Sequence, residues 1–222
     1  LTLSGTDFEN HEFTFSAVSN SSNVVPSVDG TALILTPKSN WNGSAEITVT
    51  ITDALGASSN SQFTLTVDPV ADTPSITDAD TDEDVMTTLV LSRNTADGTE
   101  TTHFKITSIT NGSLYQNDGT TSISDNAFIT YAEGNAGLKF LPSTNFHGDG
   151  SITIQASVSA DDDGLGGNTV TATITVDPVA DTPSITVAET DEDVMISSGL
   201  VISRNTADSL GKVTHFKITS IT

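Results

Sequence analysis

The 222-residue sequence predicts an all-β chain built as tandem Greek-key β-sandwich domains, joined end to end by short Pro/Asp linkers. Three observations carry this reading. The phrase "VDPVADTPSIT" stands at 67–77 and again, letter for letter, at 176–186. Around both copies, short segments alternate apolar residues with Thr or Ser, the period-two pattern of a strand with one buried face. No segment sustains the 3.6-residue apolar periodicity of a helix.

The repeat extends well beyond the phrase. "TDEDVM" (81–86 and 190–195), "SRNTAD" (92–97 and 203–208) and "THFKITSIT" (102–110 and 214–222) follow it in both copies. Ahead of it, "SNWNGSAEITVTITDALGASSNSQFTLT" (39–66) parallels "STNFHGDGSITIQASVSADDDGLGGNTVTATIT" (143–175). Self-similarity at this period marks a repeat architecture. The expected domains are 1–68, a repeat lacking its first strand, 69–177, a complete repeat, and 178–222, the N-terminal part of a third. That register is expected of a piece cut from a longer chain.

Each strand follows from its pattern. "HEFTFSAV" (11–18), "ALILT" (32–36), "EITVTIT" (46–52) and "FTLTV" (63–67) belong to the first copy. "HFKITSI" (103–109), "GLKFL" (137–141), "SITIQASV" (151–158) and "TVTATITV" (169–176) belong to the second. Clusters such as "NGS" (111–113), "NDGT" (117–120) and "EGNAG" (133–137) read as turns. In "THFKITSI", Phe104, Ile106 and Ser108 are expected to face inward, with His103 and Lys105 in water. "FTLTV" ends one sandwich and "PSIT" opens the next, so "DPVAD" (68–72 and 177–181) is the hinge. Pro69 and Pro74 fix φ and hold the preceding residues extended, which makes the hinge short and stiff.

Composition excludes several functions. Seven Lys and Arg stand against 29 Asp and Glu, a formal net charge of −22. Binding to nucleic acid or to anionic membranes needs cationic side chains, so both are poor partners. Cations are the natural counterparts. Cysteine is absent, which removes disulfides, thiolate metal sites and cysteine nucleophiles. No apolar run is long enough to predict a membrane-spanning helix. The four His (11, 103, 147, 215) sit in repeat-equivalent or loop positions, as structural or surface residues do. No nucleophile signature accompanies the many Ser and Thr, and the acids recur with the repeat instead of marking one cleft. The expectation is a non-enzyme. Trp41 sits in the "NWNG" turn where the second copy has Phe146, a packing position; Tyr115 and Tyr131 are the remaining candidates for stacking on a sugar.

Over essentially its whole length the sequence resembles cadherin-like repeats, especially the tandem repeats of large bacterial surface proteins and adhesins. The resemblance rests on "VDPVADTP", a final strand running into an acidic linker that ends in Pro, and on the Glu of "TDEDV", Glu83 and Glu192. "TDFENHEFTF" is similar to the family's D-x-D loop, with Asp7 and Glu9, and Asp53 in "ITDALG" to its apical Asp. The linker keeps only an outer acidic pair, Asp68 and Asp72, and "SRNTAD" leaves Asp97 and Asp208 of the D-x-D loop. The resemblance implies an immunoglobulin/cadherin-like sandwich with Ca²⁺ at the joints, with fewer or weaker ions than in fully acidic linkers.

Calcium takes six to eight oxygens, more than one element supplies but within reach of a joint between domains. The expected ligands at the first joint are Asp68, Asp72, Asp97 and the hairpin acids Asp161, Asp162 and Asp163, with Glu100 beside them; at the second they are Glu83, Asp177, Asp181 and Asp208. Asp7, Glu9 and Asp53 of the first copy complete the set. The resulting expectation is a calcium-rigidified structural or adhesive arm of a bacterial surface protein, secreted or at the cell surface. Its partners would be calcium ions, neighbouring repeats of the same chain, and other copies or cell-surface glycans. The alternatives are a carbohydrate-binding module and a strand-exchanging polymer subunit.

Overall fold

The computed structural model describes every residue except 7–11, 197–200, 209–211 and 220–222. Its contacts divide the chain into two compact units, Leu1–Ala71 with Thr95–Glu100, and Asp72–Asn94 with Thr101–Thr222.

In the first unit the strands are β1 (Phe13–Ser19), β2 (Val24–Asp29), β3 (Ala32–Pro37), β4 (Gly43–Asp53) and β5 (Ser58–Val67). β1, β4 and β5 form one antiparallel sheet, and β2 and β3 a separate hairpin. Gly30 turns that hairpin at φ +58°, a left-handed geometry that its missing Cβ allows. Val24, Ala45 and Ile47 form the buried centre, with Ala17, Leu35, Trp41, Val49, Phe63 and Leu65 packed against it. From "EITVTIT", Ile47 thus lies in this centre and Val49 packs against it.

The second unit runs β6 (Ser75–Ile76), β7 (Ala79–Asp82), β8 (Thr87–Leu89), β9 (Leu91–Ser92), β10 (His103–Thr110), β11 (Gly112–Tyr115), β12 (Ser122–Ile123) and β13 (Phe128–Thr130). There follow helix α1 (Tyr131–Ala136), β14 (Leu138–Pro142), β15 (Gly148–Ser157), β16 (Leu165–Asp177), β17 (Ser184–Ile185) and β18 (Ile202–Ser203). A five-stranded sheet ordered β13-β10-β15-β16-β7 and a four-stranded sheet ordered β12-β11-β14-β8 make the sandwich. Phe104, Ile106, Ile152, Ile154, Ile174 and Val176 from one sheet, and Leu89, Leu114, Leu138 and Phe140 from the other, are buried. Phe140 needs room: a Cβ on Gly150 would lie 2.8 Å from its ring.

Phe104 and Ile106 face inward as expected, but Ser108 is only half-buried. A bulge between Ile106 and Ser108 shifts the register against β15 and ends the inward series. The "EGNAG" segment also departs from expectation, because most of it is helix and not a turn. A capping box nucleates α1: the Thr130 hydroxyl accepts from the Glu133 amide (3.2 Å) while the Glu133 carboxylate accepts from the Thr130 amide (2.7 Å). At six residues, α1 is too short to show periodicity, so only the T-x-x-E spacing announces it.

β7 is the feature that positions the site. It pairs with β16 in parallel, Ala79 opposite Ile174 through Asp82 opposite Asp177. Both strands therefore end side by side, where the linker begins.

Two predictions follow from this packing. Phe140→Ala empties a fully buried ring site and should cost about 3–5 kcal/mol in urea unfolding of the second unit. The amide and then the hydroxyl of Thr130 are the main reasons the Glu133 carboxyl is held below its usual 4.5. A depressed carboxyl contributes its stability above the unfolded value and loses it as pH falls through the folded one. Gln can still reach back to the Thr130 amide, so Glu133→Gln removes the charge alone; the stability lost, about 0.3–1 kcal/mol at neutral pH, should therefore shrink as pH drops below 4.5.

Candidate functional site

Because β7 and β16 run together, Glu83 emerges beside the first residue of the 177–181 linker. Its amide donates to the Asp177 carbonyl at 2.9 Å. Pro178 has no N–H, so Val179 is the next linker donor, and its amide reaches Glu83 Oε1 at 2.5 Å. From the "SRNTAD" loop after β18, Asp208 Oδ1 accepts the Asp181 amide at 3.1 Å. One carboxylate from the second copy and one from the third thus hold alternate amides of the linker. Glu83 is 5% exposed and Asp208 4%.

A third partner lies between them. The Lys212 ammonium contacts Glu83 Oε1 and lies 3.4 Å from Asp208 Oδ1 and 3.5 Å from Asp181 Oδ2, with its side chain 1% exposed. Burial works against this ammonium, but hydrogen bonds to Glu83 and Asp208 and the charges of Glu83 and Asp181 outweigh it, so its pKa is raised. Three carboxylates face one cation, which leaves the group anionic. Glu83 Oε2 and Asp208 Oδ2 are buried without a hydrogen-bond partner.

The structure brings Glu83, Asp181 and Asp208 together around Lys212. Asp177 contributes its carbonyl, while its residue as a whole is exposed. The other predicted residues are placed elsewhere. Asp53 closes its own hairpin, accepting from the amides of Leu55 (2.9 Å) and Ala57 (2.8 Å). Asp161 caps a short 3₁₀ turn between β15 and β16, accepting from the Ser159 hydroxyl at 2.7 Å and the Gly164 amide at 3.3 Å. Its neighbour Asp162 pairs with Lys105 at 2.6 Å, and Asp163 is exposed. Asp68 is exposed, Asp72 is half-buried and Asp97 is buried, its carbonyl accepting the Glu100 amide at 3.1 Å. Asp7 and Glu9 lie outside the described residues.

Lys212 was absent from the predicted set, although the repeat contains its signal. Three residues before His103 the second copy has Glu100; three residues before His215 the third has Lys212. Counted back from "THFKITSIT", the two copies carry opposite charges at the same distance, in a loop whose other residues and length also differ.

The cluster does not fit a calcium ion at its centre, because the Lys212 ammonium already occupies the point where the three carboxylates converge. Among the described residues, no group of three or more His, Asp or Glu is arranged to hold a metal ion. The first-copy linker carries the same acids without the lysine: Asp68, Asp72, Asp97 and Glu100. Arg93 of the same loop lies 3.8 Å from the Tyr131 ring centroid and donates to the Thr101 carbonyl at 3.3 Å. Carboxylate oxygens are the hard donors that calcium takes. Of the aromatic candidates, Trp41 packs against the core of the first unit, Tyr131 lies under Arg93, and Tyr115 is half-buried on β11.

Residues 1–68 match the family model for the cadherin-like domain. No curated protein matches the sequence. Among solved structures, Drosophila N-cadherin EC1-4 is 12% identical with a TM-score of 0.45, covering 79% of this chain and 44% of that one. Mouse cadherin-23 EC22-24 is 16% identical with a TM-score of 0.43, covering 91% and 78%. Domains 1-6 of the surface layer protein SbsC are 15% identical with a TM-score of 0.35, covering 86% and 24%. The chain thus spans less than half the length of the N-cadherin and SbsC chains.

Glu83→Ala should remove the acceptor for the Val179 amide and strip Lys212 of a partner. The expected outcome is faster hydrogen exchange at Val179 and a lower urea midpoint for the second unit, with the amides of β4 and β5 unchanged.

Proposed function

We propose that this chain, which carries a cadherin-like domain over residues 1–68, is a spacer segment of an extracellular bacterial surface protein, extending an adhesive or structural arm. The observation that carries the reading is the recurrence of acidic residues at each linker between near-identical repeats. A spacer needs copies, whereas a catalyst or a receptor needs a unique pocket.

Calcium would act as the stiffener at the first linker, held by Asp68, Asp72 and Asp97 with Glu100, and with the hairpin acids Asp161 and Asp163. Asp7, Glu9 and Asp53 would serve the equivalent end of the first copy, and Asp177 would add to the acidic set of the second linker. Bound calcium supplies positive charge and a many-oxygen coordination shell. The chain's own contribution is to set the carboxylates on stiff elements, the Pro69 hinge and the strand-anchored loops, so that neutralising them fixes one linker geometry. Without a cation, two carboxylates 4 Å apart repel by about 4 kcal/mol at an effective dielectric of 20.

The test is thermal unfolding in EGTA and through a calcium titration, with magnesium at matched ionic strength. The expected result is a calcium-specific rise in the transition, half-complete at about 10⁻⁴–10⁻³ M, the range of extracellular modules, and lost in Asp72→Ala. Identical curves in calcium and magnesium would reduce these acids to a solubilising surface.

A further inference from the structure

We infer that Lys212 is a built-in counter-ion for the 177–181 linker: it takes the place of a divalent cation there and makes that linker independent of calcium. The contrast with the first linker rests on the calcium reading above; the assignment of Lys212 does not.

Three observations converge. Glu83, Asp181 and Asp208 all face the Lys212 ammonium, which is shielded from water and has no other counter-charge among the described contacts. Glu83 and Asp208 are nine-tenths buried or more, and each keeps one oxygen unpartnered. These carboxylates are therefore too desolvated to stand without a cation, and too few polar groups surround them to do the work otherwise. Lastly, the residue in the matched slot of the second copy is Glu100, of opposite charge. The two copies thus carry opposite charges at this one position.

The slot also has the right reach. Lys212 lies four residues beyond Asp208, whereas Glu100 lies three beyond Asp97, so the third copy has one extra residue in this loop. A flexible four-carbon stem carrying a compact charge suits a point between three carboxylates better than the planar fork of Arg, which favours one bidentate partner. The ammonium has three donors, and three carboxylates receive them.

Exchange of the Val179 and Asp181 amides, which bond to Glu83 and Asp208, reads the linker directly in the full chain by NMR. Exchange at Asp72 and Thr73, at the end of the first linker, is followed in parallel. In the wild-type chain, Val179 and Asp181 should exchange at the same rate in EGTA and in 5 mM calcium. Lys212→Met keeps the stem but removes the charge, and should speed both amides at least tenfold in either solution. Lys212→Arg should keep most of the protection. Lys212→Glu places four carboxylates at the linker; protection should be lost in EGTA and return with calcium but not with magnesium. Wild-type exchange at Val179 and Asp181 that slows tenfold in calcium would overturn the inference. So would full protection of Lys212→Met in EGTA. Calcium-insensitive exchange at Asp72 and Thr73 would instead defeat the calcium reading of the first linker, with the Val179 and Asp181 rates still deciding the role of Lys212.

Discussion

The organisation of this chain depends on how negative charge is neutralised where one repeat hands over to the next. The parallel pairing of β7 with β16 makes the problem unavoidable. It delivers Glu83 to the start of the linker, and the linker's own acids and the "SRNTAD" loop bring Asp181 and Asp208 to the same place. Exposed carboxylates at such a point would be cheap to leave alone, since surface ion pairs contribute about 0–1 kcal/mol. Glu83 and Asp208 are buried, and burial changes the scale. A desolvated carboxylate must find a proton, a metal or a cationic side chain.

That distinction sorts the 29 acidic residues better than their count does. Asp163 and Asp177 are exposed and tolerate their charge in water. Asp53, Asp118 and Asp161 spend theirs on turns, where backbone amides and hydroxyls are the donors. For Asp118 the Thr121 hydroxyl, then the Thr121 and Thr120 amides, hold the carboxyl down to about 2. Only the acids that combine burial with convergence oblige the protein to supply a cation. In the linker of the second unit that cation is Lys212.

The strands were legible because a half-buried strand writes its two faces into alternate residues. "EITVTIT", "SITIQASV" and "TVTATITV" all become strands at those places, β4, β15 and β16. What was illegible had local causes. The bulge after Ile106 breaks the alternation that placed Ser108 inward, and no residue type announces it. Helix α1 is shorter than two turns, so its capping box is the only trace it leaves. The acidic set was visible as composition, Asp181 in the acidic linker, and Glu83 and Asp208 through the resemblance of "TDEDV" and "SRNTAD" to cadherin-like motifs. Lys212 left no such mark, because it stands outside the shared phrases, where the copies differ. The repeat is most informative at its exception: Glu100 and Lys212 share a slot and carry opposite charges.

A tethered cation and a bound one have different consequences for an acidic linker. A bound ion stabilises by RT ln(1 + [L]/Kd), so a linker held by calcium stiffens and relaxes with the surrounding concentration. An ammonium on the chain is present at fixed effective concentration, and the linker it neutralises keeps one geometry whatever the medium contains. Lysine cannot copy the ion fully, because one positive charge against three carboxylates leaves two oxygens, on Glu83 and Asp208, without a partner. The remaining anionic character is tolerated because the Val179 and Asp181 amides donate to the same two side chains. The backbone of the linker thus completes the neutralisation that Lys212 begins, which ties the conformation of "DPVAD" to the charge state of the cluster.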